Sequence, residues 1–232
     1  MNLFSVPFFT DKVDLEQINI IDESLAPTFR SQLKTSLRTN KQVSHQTITH
    51  LSEIISRNID TLGVKYGEAK IEELWRNKYE TPQDFQDPHI HCYSQWSFII
   101  YEDVDVSRTV FLNPYRFRVE SQMAMYDEYF NMDYRPELHN GDIIIFPSFV
   151  EHYVLSGGTG STIAGNVFLN PYRFRVESQM AMYDEYFNMD YRPELHNGDI
   201  IIFPSFVEHY VLSGGTGSTI AGNVFLTPSP DV

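Results

Sequence analysis

His89-Ile90-His91 places two imidazoles two residues apart in a segment that reads as a strand. Alternate side chains of a strand point to opposite faces, so both rings share one face. Two neutral imidazoles on one face form a clip for a divalent transition metal. A third follows at His152, behind Gly141-Asp142-Ile143-Ile144-Ile145-Phe146-Pro147, which reads as a turn, a buried strand and a proline stop. If strand pairing sets it beside the first two, His152 completes a facial three-ligand set and leaves positions open to water, substrate or O₂. Taken alone, His89-x-His91 fits equally well two solvent-facing rings on an edge strand. The later segment is what turns the reading toward a metal.

The other titratable residues have blander readings. His139 precedes the turn and reads as a surface loop residue, and His45 and His50 read as solvated. Asp142 follows the turn glycine and is suited to bonding local backbone amides. Glu151 neighbours His152 and so points to the opposite face.

These side chains need elements to hold them. Leu3–Phe9 reads as a strand, at an edge because of Pro7. Two amphipathic helices follow by spacing: Asp22–Leu37, with Leu25, Phe29, Leu33 and Leu37, and His45–Leu62, with Ile48, Leu51, Ile54, Ile55, Ile59 and Leu62. Ile71–Tyr79 reads as a strand, Pro82–Pro88 as a polar loop and His89–Tyr101 as one continuous strand. On that strand Tyr93, Gln95, Ser97, Ile99 and Tyr101 share the face of the histidines, as in a barrel with a polar mouth and an apolar base. Strands are also expected at Ser107–Leu112, Ile143–Phe146, His152–Leu155 and Ser161–Leu169, with a longer connection at Glu120–Met132. Helices first and then many short strands predict an α+β chain with a sandwich or small barrel.

Val110–Leu169 recurs letter for letter as Val167–Leu226. Solenoid repeats drift because only their buried positions are constrained. Identity through loops and surface positions instead indicates a recent tandem duplication or an artefact of sequence assembly. Val-Phe-Leu stands at 110–112, 167–169 and 224–226, once at each junction, so the parent chain reads as Met1–Asn166 joined to Val224–Val232. The expected domains are 1–169, helices plus barrel, and 170–232, a duplicate of the distal half with a tail. The duplicate brings His209 as a rival to His152 but no second His-x-His, so one site is expected and not two. Unpaired strand edges of the spare copy favour homo-oligomers.

The chain carries 17 Lys+Arg against 31 Asp+Glu, a net charge of −14. That balance repels nucleic acid and anionic lipid. Cys92 is the one cysteine, so no intrachain disulfide forms and a reducing compartment is expected. With no basic, apolar leader and no membrane-length apolar run, a cytoplasmic protein without membrane or nucleic-acid partners is expected.

His89-Ile90-His91, Trp96–Tyr101, Gly141–Ser148 with His152, and Thr162-Ile163-Ala164-Gly165-Asn166, preceded by Leu74–Tyr79, resemble the short 2-oxoglutarate/Fe(II)-dependent oxygenases, including phage-encoded ones. The resemblance spans roughly residues 70–169. It implies a double-stranded β-helix (jelly-roll) core, Fe(II) held by His89, His91 and His152 (or His209), 2-oxoglutarate as cosubstrate, and hydroxylation of a substrate the sequence does not identify. Tyr101 is the candidate for a cosubstrate hydrogen bond. The chain departs from the family twice. His91 stands where Asp or Glu is usual. Gly158-Thr159-Gly160-Ser161-Thr162 stands where an Arg usually clamps the far carboxylate, with Arg116 and Arg118 as the nearest substitutes. The second cupin motif is partly matched by Gly141, Pro147 and His152. The alternatives are therefore a cupin-like metal protein that does not use 2-oxoglutarate, or a non-catalytic jelly-roll module.

Overall fold

The computed structural model describes residues 6–28, 31–118, 131–171, 193–203, 207, 209 and 216–222. Its regular elements are β1 (Phe9–Lys12), β2 (Ile20–Asp22), β3 (Ala26–Pro27), β4 (Lys34–Thr35), β5 (Lys41–Val43), α1 (His45–Ile59), β6 (Tyr66–Tyr79), β7 (Gln86–His89), β8 (Trp96–Asp103), β9 (Thr109–Leu112), β10 (Asp133–Tyr134), β11 (Asp142–Pro147), β12 (His152–Val154) and β13 (Gly160–Pro171). One sheet runs β1-β11-β8-β13-β6-β4-β3 and a second runs β10-β9-β12-β7, with β2 and β5 as a separate pair. Every pairing is antiparallel. The described residues are thus mostly β, with little helix.

The larger sheet is covered on both faces, which explains its unbroken apolar runs. Phe98, Ile100, Ile143, Ile145 and Ile163 pack on Leu51, Ile54, Ile55 and Ile59 of α1. Their neighbours Ile99, Tyr101, Ile144, Phe146 and Ala164 face inward against Phe111 of the smaller sheet. The Phe111 and Phe146 rings meet edge to face at 4.9 Å. The helix expected over His45–Leu62 forms as α1 plus a final 3₁₀ turn over Asp60–Leu62. Ser44 caps it, accepting a hydrogen bond from the Thr47 amide at 3.1 Å.

The other expected helix, Asp22–Leu37, does not form. Pro27 has no amide hydrogen and would break a helical ladder there. The segment instead lies as β3 and β4 on the edge of β6. The Ser36 amide donates to the Arg76 carbonyl at 2.9 Å, and the Arg76 amide donates to Ser36 Oγ at 2.9 Å. Phe29 lies outside the described residues.

His89–Tyr101 is not one strand. β7 belongs to the smaller sheet and β8 to the larger, and the chain crosses between them through a turn in which Tyr93 has φ 64° and is fully exposed. The face shared by Ser97, Ile99 and Tyr101 is as expected, but Tyr93 does not continue it. The expected loop at Pro82–Pro88 ends in β7 instead. Pro88 is tolerated there because β7 is an edge strand. The expected first strand starts later, at Phe9, with residues 1–5 outside the described set. Most of Glu120–Met132 lies outside it as well.

The first repeat copy supplies β9 to β13. β13 runs through the expected boundary at 169/170 to Pro171, so Val167-Phe168-Leu169 finishes the barrel strand. In the second copy Ile200 is 81% and Ile202 80% exposed. Its described residues include no strand beyond Pro171. Among the described residues no helix is long and apolar enough to cross a membrane.

Candidate metal centre

His89 ends β7, His152 opens β12, and the two are direct cross-strand partners. Their ring centroids are 4.3 Å apart. His91 lies beyond the end of β7, where its amide donates to the Ser148 carbonyl at 3.0 Å. Its ring is 5.4 Å from His89 and 5.1 Å from His152. Trp75 flanks it on the far side at 5.4 Å. One ring nitrogen from each of the three lies within 4.8 Å of the others. The exposed His209 stands apart from this group.

Each imidazole is held by its Nδ1. His89 Nδ1 lies 2.8 Å from the Asp87 carbonyl and His152 Nδ1 3.0 Å from the Val150 carbonyl. His91 Nδ1 lies 2.6 Å from Asn166 Oδ1. Carbonyl oxygens only accept, so Nδ1 carries the proton and Nε2 keeps its lone pair. Burial pushes His91 down to about 4, helped by neighbouring His89 and opposed by Asn166. Burial also drives His152 well below the usual imidazole range, with His89 and His91 adding to it, and lowers His89. All three rings are neutral at pH 7. Three neutral imidazoles suit Fe(II), Ni(II) or Zn(II). Glu151 faces away and pairs with Arg116.

A cleft opens beside the histidines. Alternation along β6 sends Trp75, Asn77 and Tyr79 into it, and Gln86, Thr109 and Thr162 line it from other strands. Its polar groups are uncharged. The Tyr79 hydroxyl donates to Gln86 Oε1 at 3.3 Å. Burial holds that phenol well above its ordinary range, so it is a neutral donor. Neither Arg116 nor Arg118 lines the cleft. The Arg108 guanidinium sits behind the Tyr79 ring, 5.1 Å from its centroid, and donates to the Leu155 carbonyl at 2.6 Å. Tyr101 lies inside, next to a cleft residue. It is 1% exposed, and its hydroxyl donates to Thr109 Oγ1 at 3.1 Å.

The sequence reading missed Tyr79, Asn77 and Thr109, while Thr162, named there as a hydrogen-bonding group for a carboxylate, does line the cleft. Alternation from Trp75 was the available signal for the first two. Asn166 was visible within the matched run, but nothing local tied it to His91.

The chain matches no described protein family and no curated protein sequence. By shape it is similar to HygX from Streptomyces hygroscopicus, whose structure holds nickel, 2-oxoglutarate and hygromycin B (TM-score 0.42, 10% identity, 73% of this chain and 84% of that one). It is also similar to a Pseudomonas putida prolyl-4-hydroxylase (TM-score 0.41, 15% identity, 65% and 79%). A third likeness is to SnoN, a non-heme alpha ketoglutarate dependent epimerase from nogalamycin biosynthesis (TM-score 0.43, 12% identity, 64% and 69%). At these scores, what the centre does has to follow from the chain's own residues.

Proposed function

We propose that the chain is a mononuclear non-haem iron oxygenase with a double-stranded β-helix core. In this reading His89, His91 and His152 hold Fe(II) and 2-oxoglutarate binds in the adjoining cleft. One observation carries it: three neutral imidazoles lie together with every Nδ1 already bonded, which leaves each Nε2 without a proton, and one ring nitrogen from each lies within 4.8 Å of the others. Three nitrogens on one side leave coordination positions open, and bound iron would supply O₂ activation there. Thr109 and Thr162 supply neutral hydroxyls for a carboxylate, and Arg108, over the Tyr79 ring, lends positive charge nearby.

A second reading, a cupin-like metal protein that does not use 2-oxoglutarate, is favoured by one feature. Among the described residues no Lys or Arg lines the cleft. A buried carboxylate without a paired cation is costly.

The deciding experiment is metal analysis of protein purified without a histidine tag, followed by anaerobic titration of the Fe(II)-loaded protein with 2-oxoglutarate. About one metal per chain and saturable 2-oxoglutarate binding support the first reading. Metal without 2-oxoglutarate binding moves the assignment to the second. No metal uptake rejects both.

A further inference from the structure

His91 is held differently from its two partners. His89 and His152 each give Nδ1–H to a backbone carbonyl two residues earlier in their own chain segment. His91 gives its proton to a side chain 75 residues away, Asn166 Oδ1. It also sits past the end of β7, where the strand ladder no longer fixes its backbone. We infer that Asn166 is the positioning residue of the centre, the group that fixes the tautomer and ring orientation of His91. This rests on the metal-centre reading above.

The surroundings of Asn166 determine which way its amide faces. It lies on β13, directly across from Glu73 on β6 and Ser97 on β8. Its Nδ2 donates to Glu73 Oε2 at 2.8 Å. A carboxylate can only accept, so the amide nitrogen must point that way and Oδ1 must face His91. Ser97 Oγ donates to the same Oδ1 at 3.1 Å. With its only proton used there, Ser97 accepts from Ser148 Oγ at 2.7 Å, and Ser148 in turn accepts from Ser94 Oγ at 2.8 Å. The three hydroxyls therefore all point toward Asn166, each bond polarising the next. Ser97 is 0%, Ser148 1% and Asn166 6% exposed, so water does not compete for these bonds. An outer partner of this kind orients a ligand imidazole and raises its basicity, and losing it costs metal affinity about 10–100-fold.

The test is Co(II) titration of the full chain by calorimetry and visible absorption, with melting curves as the check on folding. Asn166→Leu keeps the bulk and removes the acceptor. It should bind Co(II) roughly 10–100-fold more weakly, with a changed visible spectrum. Asn166→Ala, which forces no overlap, serves the same purpose if the leucine variant does not fold. Asn166→Asp combined with Glu73→Gln keeps an oxygen facing His91, with the amide donor moved to residue 73, and should stay near wild-type affinity and spectrum. Wild-type affinity and spectrum in the leucine or alanine variant would overturn the inference, as would equal losses in all three variants. His91→Ala separates the two claims. If it binds Co(II) as the wild type does, the metal-centre reading itself fails. If it loses binding while Asn166→Leu does not, only the role of Asn166 fails.

Discussion

His152 and His209 make the same bond to their own backbone in entirely different surroundings. Nδ1 lies 3.0 Å from the Val150 carbonyl in one and 3.1 Å from the Val207 carbonyl in the other. Each ring meets the phenylalanine six residues earlier, Phe146 or Phe203, at 4.9 Å. Yet His152 is 2% exposed inside the barrel, while His209 is exposed. The local sequence orients the ring, and only the barrel supplies two more imidazoles beside it. His152→Ala should therefore weaken Ni(II) binding by roughly 100-fold or more, as loss of one of three ligands requires. His209→Ala should leave it within about twofold, inside the ordinary spread for surface changes. Parallel calorimetric titrations check this, and equal losses in the two variants would refute it.

Gly165 and Gly222 offer a second matched pair. A Cβ at Gly165 would lie 2.4 Å from the Phe98 ring and 2.8 Å from the Glu73 carbonyl, whereas at Gly222 nothing lies within 4 Å. Gly165→Ala should cost about 2–4 kcal/mol through forced displacement in a packed core. Gly222→Ala should fall within about 0.5 kcal/mol of zero. Urea denaturation measures both.

Deleting Val167–Asn223 should preserve the barrel. It replaces Val167-Phe168-Leu169-Asn170-Pro171 with Val224-Phe225-Leu226-Thr227-Pro228, so β13 changes only at Asn170. Among the described residues the Asn170 side chain makes an exposed contact to Glu68 at 3.4 Å. Stability should change by less than about 1 kcal/mol. Self-association seen by sedimentation should fall as Ile200, Ile202 and Ile220 are removed. An unfolded deletion variant would mean that the second copy is integral to the fold.

Glu102 ties β8 to β6. Its carboxylate accepts two bonds from Arg76, both at 2.8 Å, and one from Ser161 at 2.8 Å. Burial alone would raise its pKa, but the Arg76 and Ser161 bonds outweigh it and hold the carboxyl below the ordinary value of 4.5. A carboxyl depressed on folding gives stability that is present above its unfolded value and lost as pH falls through the folded one. Glu102→Gln should thus cost about 1–3 kcal/mol at pH 7. Melting curves should show the gap between variant and wild type narrowing as pH falls below about 4.5. A gap that stays constant with pH would exclude this role for Glu102.

What was legible in the sequence was local. The Asn-Gly-Asp turn forms in both copies: the Asp142 and Asp199 amides each donate at 3.0 Å to the carbonyl of the preceding histidine, His139 or His196. The strand that follows forms only at Ile143–Phe146, because it needs β8 beside it. The spacing of α1 and the Nδ1 contacts of His89 and His152 are short-range in the same way. Asp22–Leu37 misled because four-residue apolar spacing competes with Pro27 and with the edge of β6, which is distant in sequence. The break between His91 and Trp96 was hidden for a related reason. Which sheet a strand joins is decided by its partners, and β-prone letters on both sides of Tyr93 carry no record of that. Asn166 and the cleft residues meet His91 only through strand register.

The junction tripeptide has a kinetic consequence. Val110-Phe111-Leu112 lies in β9 with Val110 and Phe111 buried, while the identical Val167-Phe168-Leu169 lies in β13 with Val167 and Leu169 buried. Were the second copy to build the barrel, residues 167–169 would have to serve as β9, and so could not remain in β13. Residues 167–169 cannot serve as β9 and β13 at once. Since β13 is paired on both sides, by β8 and β6, leaving it means dismantling the middle of the larger sheet. An exchange that moves β13 is therefore opposed by the barrier to unfolding that sheet. The first copy leaves the ribosome earlier and meets β6 and β8 without a competitor.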